Sequence, residues 1–342
     1  MKKGAAAVTK RGLEAGIAAA ALAVAAAAVF AGGASEEVKI SGSNRVAIDK
    51  GLEYLAAREN DDGSWDSAAF GKATAMSALA GLAFMSDGNM PGRGKYGENV
   101  SRALDYVLKS AQPTGLLEYA LPHHAMYSHA FATLFLAEAW GTANRPEIRD
   151  KLKSAVDLII RTQNREGGWR YEPKVADADI SVTVAEIVAL RAAANAGIAV
   201  PRETVDNAMD YVGRCARPDG GFSYQAASGE SGFPRTGGAF LCLMLTGGEK
   251  SAEARRTIRY LEANAGRTMR FYYYGHYYAA QGMHLLGGDT WAKWYDAAGA
   301  QLLRKQKGDG SWTGEGEDTT QCTAMAVLVL TIPNGYLPLY QR

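Results

Sequence analysis

The sequence predicts an all-α fold, a single (α/α)6 toroid built from six helical hairpins. Three features carry that prediction. A glycine followed two residues later by Trp or Phe recurs about every 50 residues. Each copy is preceded by a helix apolar on one face, and each is followed by a helix apolar nearly all round.

The clear copies are "ENDDGSW", "QNREGGW", "RPDGGF" and "QKGDGSW", with glycines at Gly63, Gly167, Gly220 and Gly310, and the degenerate "QPTGLLEY" adds Gly115. The gap between Gly220 and Gly310 is close to two periods, and "FYYYGHYY" (271–278) falls inside it where a fifth copy belongs, which makes six units. Before the glycine, "DKLKSAVDLIIRTQ" repeats Leu152, Ala155, Val156 and Ile159 at helical spacing against a charged face, so one side meets water. After it, "YSHAFATLFLAEA", "SVTVAEIVALRAAANA", "TGGAFLCLML" and "CTAMAVLVL" have no polar face and require burial on all sides. Two concentric rings, with the apolar helices inside, satisfy both kinds. The glycines end the outer helices in left-handed turns. Pro146, Pro201 and Pro333 mark unit boundaries, and the tail "YLPLYQR" is expected to lie over the seam of the ring.

At 47% hydrophobic content, 342 residues can bury a large core. The formal net charge is +1 and no basic stripe carries interleaved aromatics, which excludes a nucleic-acid partner. Lys2, Lys3, Lys10 and Arg11 precede an uncharged run from Ala15 to Ser35. Residues 1–34 therefore read as an export signal or an N-terminal membrane anchor, 35–44 as a linker and 45–342 as the toroid, placing the protein in the periplasm or cell envelope. Cys215, Cys242 and Cys322 are odd in number and widely spaced, which argues against a disulfide framework.

Gln163, Gly167 and Trp169, and again Gln306, Gly310 and Trp312, match the Q-x-x-x-G-x-W repeat, and on these residues the chain resembles the squalene cyclase and protein prenyltransferase superfamily from about residue 45 onward. The first copy has Glu59 in place of Gln, and the fourth has Ala216 and Phe222. The resemblance implies two catalytic patterns. Class II terpene cyclases use Asp-x-Asp-Asp to protonate an alkene; here "DADIS" supplies Asp177 and Asp179 but Ile180 at the last position. By resemblance Asp179 is the proton donor and Asp177 a supporting carboxylate, while Asp179 is also placed to cap the helix beginning near Ser181. Protein prenyltransferases bind zinc through Asp, Cys and His; Asp318, Cys322 and His276 are the residues available, in an order and spacing that depart from that family's.

The aromatic stretch falls at the start of the fifth inner helix, where Tyr274, Tyr277, Tyr278 and Gln281 share a face and His276 points elsewhere. Tyr274, Tyr277, Tyr278, His276, His124 and Trp169 are the expected substrate-binding residues, for an apolar small molecule or lipid whose carbocations would lie over ring faces. No metal or cofactor is assigned, and a monomer is expected. The function expected is that of an exported terpene cyclase-like protein that binds an isoprenoid. Two alternatives stand beside it. One is a polysaccharide lyase or glycosidase using Tyr277 with His276, and Arg235 or Arg270 to hold acidic groups. The other is a protein-binding repeat scaffold.

Overall fold

The computed structural model describes residues 38–68, 71–119, 124–226 and 228–341. These hold twelve α-helices and only isolated β-bridges. The outer helices are α1 (Gly42–Ala56), α3 (Gly97–Lys109), α5 (Glu147–Thr162), α7 (Arg202–Arg214), α9 (Ala252–Asn264) and α11 (Gly288–Lys305). The inner ones are α2 (Thr74–Ser86), α4 (Ala125–Ala139), α6 (Ile180–Asn195), α8 (Phe233–Leu245), α10 (Tyr272–Leu286) and α12 (Thr319–Thr331). Each inner helix packs on the next, and α12 returns to α2, so the inner ring closes.

The burial pattern follows the sequence grammar. Every residue of α2 is buried, whereas α5 buries one stripe that includes Leu152, Ala155, Val156 and Ile159. Among the described residues no helix is long and apolar enough to cross a membrane. The N-terminal run read as signal or anchor lies outside those residues.

The repeat residues build one joint. Trp65, Trp169 and Trp312 donate their indole N–H to carbonyls of their own outer helices, at Leu55, Ile159 and Leu302, 2.8 to 2.9 Å away. Gln163 donates to Thr204 O and Gln306 to Ala47 O, at the starts of the following outer helices. Glu59 reaches the same place by other chemistry, pairing with Arg102 and Asn99 of α3. The glycine between them has a left-handed backbone and lies against the next outer helix. A Cβ on Gly167 would stand 2.1 Å from Asn207 O, and one on Gly310 2.4 Å from Lys50 O, the contact that joins the last unit to the first. The degenerate copy does the same job, with Gly115 against Ser154 O.

The tail does not lie over the seam. After α12 it passes the end of α2, where Asn334 donates to Ser86 O. Its short 3-10 helix, Pro338–Tyr340, then packs on both α6 and α10, while Leu339 N donates to Glu138 of α4 at 3.4 Å. A segment touching three separate inner helices near their C-termini crosses the end of the lumen. Leu337, Leu339 and Tyr340 are apolar and find there the burial that a path along the outer seam lacks.

Gly167→Ala is expected to cost roughly 3 kcal/mol or more, because left-handed strain adds to a clash with fixed backbone. Gly197→Ala, with the same backbone sign and open space around it, should cost only about 1 kcal/mol. Urea unfolding of the two variants checks the difference; equal losses would mean that the joint yields.

Candidate functional site

All six inner helices start at the same end of the ring, so their N-termini gather at one mouth. The third is built from the loop that follows Gln163. Asn164 Oδ1 accepts from the amides of Glu166 and Gly168 and fixes the turn, and Trp169 O then accepts from Asp179 N at 3.0 Å. Asp179 is thereby held extended at the N-cap of α6, where Oδ1 accepts from Ser181 N at 2.9 Å and Val182 N at 3.0 Å.

Its other oxygen is unusual. Asp179 is fully buried, and Oδ2 has no hydrogen-bond partner among the described residues. Arg170 Nε stands 3.9 Å away, but that guanidinium is bound to the exposed Asp177 and lies over the Tyr171 ring. The Tyr224 hydroxyl, hydrogen-bonded to Tyr171, also faces the carboxyl close to hydrogen-bond range and pulls its pKa down. Burial pushes the Asp179 carboxyl up to about 6, against the pull of the two amides, Tyr224 and Arg170. The neighbouring carboxylate is not the cause, because Asp177 is drawn outward by Arg170. Ile180, where the resemblance wants a third acid, is wholly buried and donates its N–H to Tyr224 O.

Aromatic rings surround this acid. Tyr274 Oη donates to Ser181 O at 3.2 Å, so Tyr274 reaches from α10 to the start of α6, beyond the intervening α8. His124, left-handed at the N-cap of α4, packs edge-on to Tyr171 at 4.3 Å, and Tyr127 lies 6.2 Å from the same ring. On the α10 side Glu317 accepts from Tyr273 N and Tyr274 N and is pushed up by burial to about 7. Deeper in, Tyr277 of α10 meets Phe131 of α4, its opposite number across the ring, at 6.3 Å, and Tyr278 packs on both Tyr274 and Tyr277 at 4.8 Å. The shared face of Tyr274, Tyr277 and Tyr278 thus spans the lumen.

Several expected residues lie elsewhere. Trp169 is buried in the joint with its indole N–H committed to Ile159 O, so it staples helices and does not wall the mouth. His276 sits behind α10, with Phe233, Tyr272 and Trp294 at 4.9, 4.2 and 6.0 Å, and burial pushes it down to about 4. Turned away from Tyr277, it forms no acid–base pair with it. Nor does it meet the other zinc candidates: Asp318 caps α12 through Thr320 N, and Cys322 is buried with its thiol pushed up by desolvation. Among the described residues no three His, Cys, Asp or Glu side chains gather as metal ligands. Arg235 donates to the carbonyls of Phe222 and Glu230.

Sequence reading missed Tyr127, Arg170, Tyr171, Tyr224 and Glu317. A signal for two of them was present, since Tyr171 and Tyr224 each stand two residues after the repeat's aromatic, at Trp169 and Phe222.

The architecture, two rings of helices with an acid at one mouth, defines the class. The prenyltransferase alpha-alpha toroid domain family is matched over residues 78–270, more than half of the chain, and the chain belongs to it. It is 30% identical over 184 residues to drimenyl diphosphate synthase of Streptomyces showdoensis, a stretch that covers 52% of this chain and 32% of that protein. The match therefore spans about a third of the relative's length. Among solved structures, the type II terpene cyclase MstE from Scytonema (apo) is similar with a TM-score of 0.57 and 17% identity, over 87% of this chain and 100% of that one. An inactive variant of the alpha-1,6-mannanase GH76A of Salegentibacter sp. HEL1_6 has a TM-score of 0.63 at 8% identity, over 85% and 99%. Likenesses this distant establish the fold, which terpene cyclases and glycosidases share.

The Asp179 shift makes a signed prediction. Between pH ~4 and ~6 the folded chain holds a proton that the unfolded chain has lost, so burial of this group increasingly opposes folding as pH rises through that window. Asp179→Asn caps the helix equally well without the charge. It should match the parent in urea unfolding at pH 4 and exceed it by ~1–2 kcal/mol at pH 7. A loss at pH 7 would mean that attraction to Arg170 outweighs burial.

Proposed function

We propose that the mouth around Asp179 protonates an alkene of a linear isoprenoid and starts its cyclisation. The observation that carries this reading is the asymmetry of the carboxyl group. One oxygen is pinned by two amides, and the other is buried with no amide on it, facing the Tyr224 hydroxyl and Arg170.

In the proposed step, Oδ2–H breaks as the terminal alkene carbon gains the proton. The resulting cation is attacked by the next double bond, loss of a proton to water ends the sequence, and water returns a proton to Asp179. The faces of Tyr127, Tyr171 and Tyr274 stabilise the positive charge, and Arg170 offsets the Asp179 carboxylate left behind. The similarity to drimenyl diphosphate synthases makes isoprenyl diphosphates the first substrates to try. Export, argued from the basic start and the uncharged run, belongs to the same proposal.

The protein incubated with a panel of linear isoprenyl diphosphates is expected to yield cyclic products, detected by gas chromatography and mass spectrometry after dephosphorylation. Asp179→Asn should cost at least roughly a hundredfold in turnover, the scale of general acid catalysis, with folding intact. Product formation that survives this change would assign the acid elsewhere, and no product from any chain length would remove the reading.

A further inference from the structure

The lumen is occupied along much of its length by the protein's own side chains. From the mouth inward Tyr274, Tyr278 and Tyr277 fill it, and at the far end the segment after α12 closes it. These two fillers are held differently. The tyrosines belong to a helix wedged against α8, where a Cβ on Gly237 would stand 2.6 Å from Gly275 O. For the terminal segment beyond Leu337, the described polar ties to the inner ring are few. They are Leu339 N to Glu138 at 3.4 Å, near the limit of a hydrogen bond, and Tyr340 O to His284 Nε2 at 2.9 Å.

Its seat is apolar in character. Tyr340 is buried against inner helices within electrostatic range of Tyr277 and Glu138. Glu138, buried near the end of α4, is pushed up by desolvation to about 8, so it is mostly neutral at pH 7. A floor with a mostly neutral acid and aromatic rings suits a hydrocarbon chain as well as it suits Leu339 and Tyr340.

We propose that the far end of the lumen is a binding site for the distal part of a linear hydrocarbon, and that residues 337–341 occupy it as a displaceable stopper. The proposal rests on the preceding functional reading only for the class of ligand. In this arrangement ligand and tail compete. A hydrocarbon that reaches Glu138 expels Leu339 and Tyr340 into solvent.

Hydrogen exchange of the full chain, read by mass spectrometry with and without saturating farnesol, tests the competition. The peptide covering residues 337–341 should exchange at least tenfold faster with farnesol bound. Unchanged or slower exchange at saturation overturns the proposal. In parallel, dansyl-labelled farnesol should bind a variant ending at Gly335 at least tenfold more tightly than the full chain. Should that variant lose its helical signal, Tyr340→Ala, which keeps both backbone ties, decides by the same titration with at least threefold tighter binding expected. Equal affinity in a folded variant, or no binding to any form, overturns the proposal. Because binding is read without turnover, an inactive protein leaves this test intact, and failure of the stopper leaves the Asp179 test intact.

Discussion

The structure depends on the contact between a left-handed glycine and a backbone carbonyl of the next outer helix. At Gly63, Gly115, Gly167, Gly220 and Gly310 the chain turns from outer to inner helix with no side chain between it and the carbonyls of Arg102, Ser154, Asn207, Arg256 and Lys50. Any larger residue would push the units apart. With the spacing set by backbone on backbone, errors do not accumulate around the ring, and the last of these contacts brings the sixth unit back onto the first. The fifth unit lacks the glycine. It turns instead through Phe271, the left-handed N-cap of α10, and close approach there shifts to the inner ring, where Gly237 and Gly275 let α8 and α10 touch.

That geometry has an electrostatic consequence. Parallel inner helices bring six sets of unpaired N–H groups to one mouth, and among the described residues carboxylates answer those of α2, α6, α10 and α12. Asp179 and Asp318 cap their own helices, while Glu118 and Glu317 reach back from the following loop to the starts of α2 and α10. Asp318 lies partly open and also accepts from Ala68 N. Glu317 divides its two oxygens between two amides. Asp179 instead spends both amide bonds on one oxygen and keeps the other beneath Tyr224 and Arg170. In the proposed reaction a structural cap and a proton donor would thus be one residue in two halves, with the helix start supplying the rigidity that positions the acid.

The toroid was legible because its signals are redundant: a period, a punctuating glycine and two kinds of helix agree, and a degenerate copy such as that at Gly115 is recovered from its neighbours. The mouth was legible where local rules apply, at the cap Asp179 and on the shared face of Tyr274, Tyr277 and Tyr278. Helical spacing tells which residues share a face, but on a helix buried all round it cannot tell which face meets the lumen. His276 and Tyr277, adjacent in sequence, therefore part company, one to α8 and α11 and the other across the ring. Trp169 was ambiguous for a related reason, since a ring that staples a joint and a ring that walls a pocket have the same spacing. Tyr171 and Tyr224 lie in loops without helical period, and only their fixed distance from the repeat aromatic marks them.

The stretch "FYYYGHYY" shows why one helix of the inner ring carries so much aromatic bulk. Its residues contact every neighbour in turn. Tyr272 bonds Gln301 of α11, Tyr274 bonds Ser181, Gly275 makes room for Phe233, His276 fills the gap behind, and Tyr277 meets Phe131. Six helices in a ring leave a hole on the axis that aliphatic side chains such as those of α2 and α12 do not span, and an empty hole forfeits the dispersion contacts of its lining. Tyrosines close it because a ring adds reach while its hydroxyl finds a carbonyl on the far side, as Tyr274 does. In a protein built this way, a ligand entering the lumen must exchange contacts with side chains already in place, and the least anchored of these belong to the segment that crosses the floor.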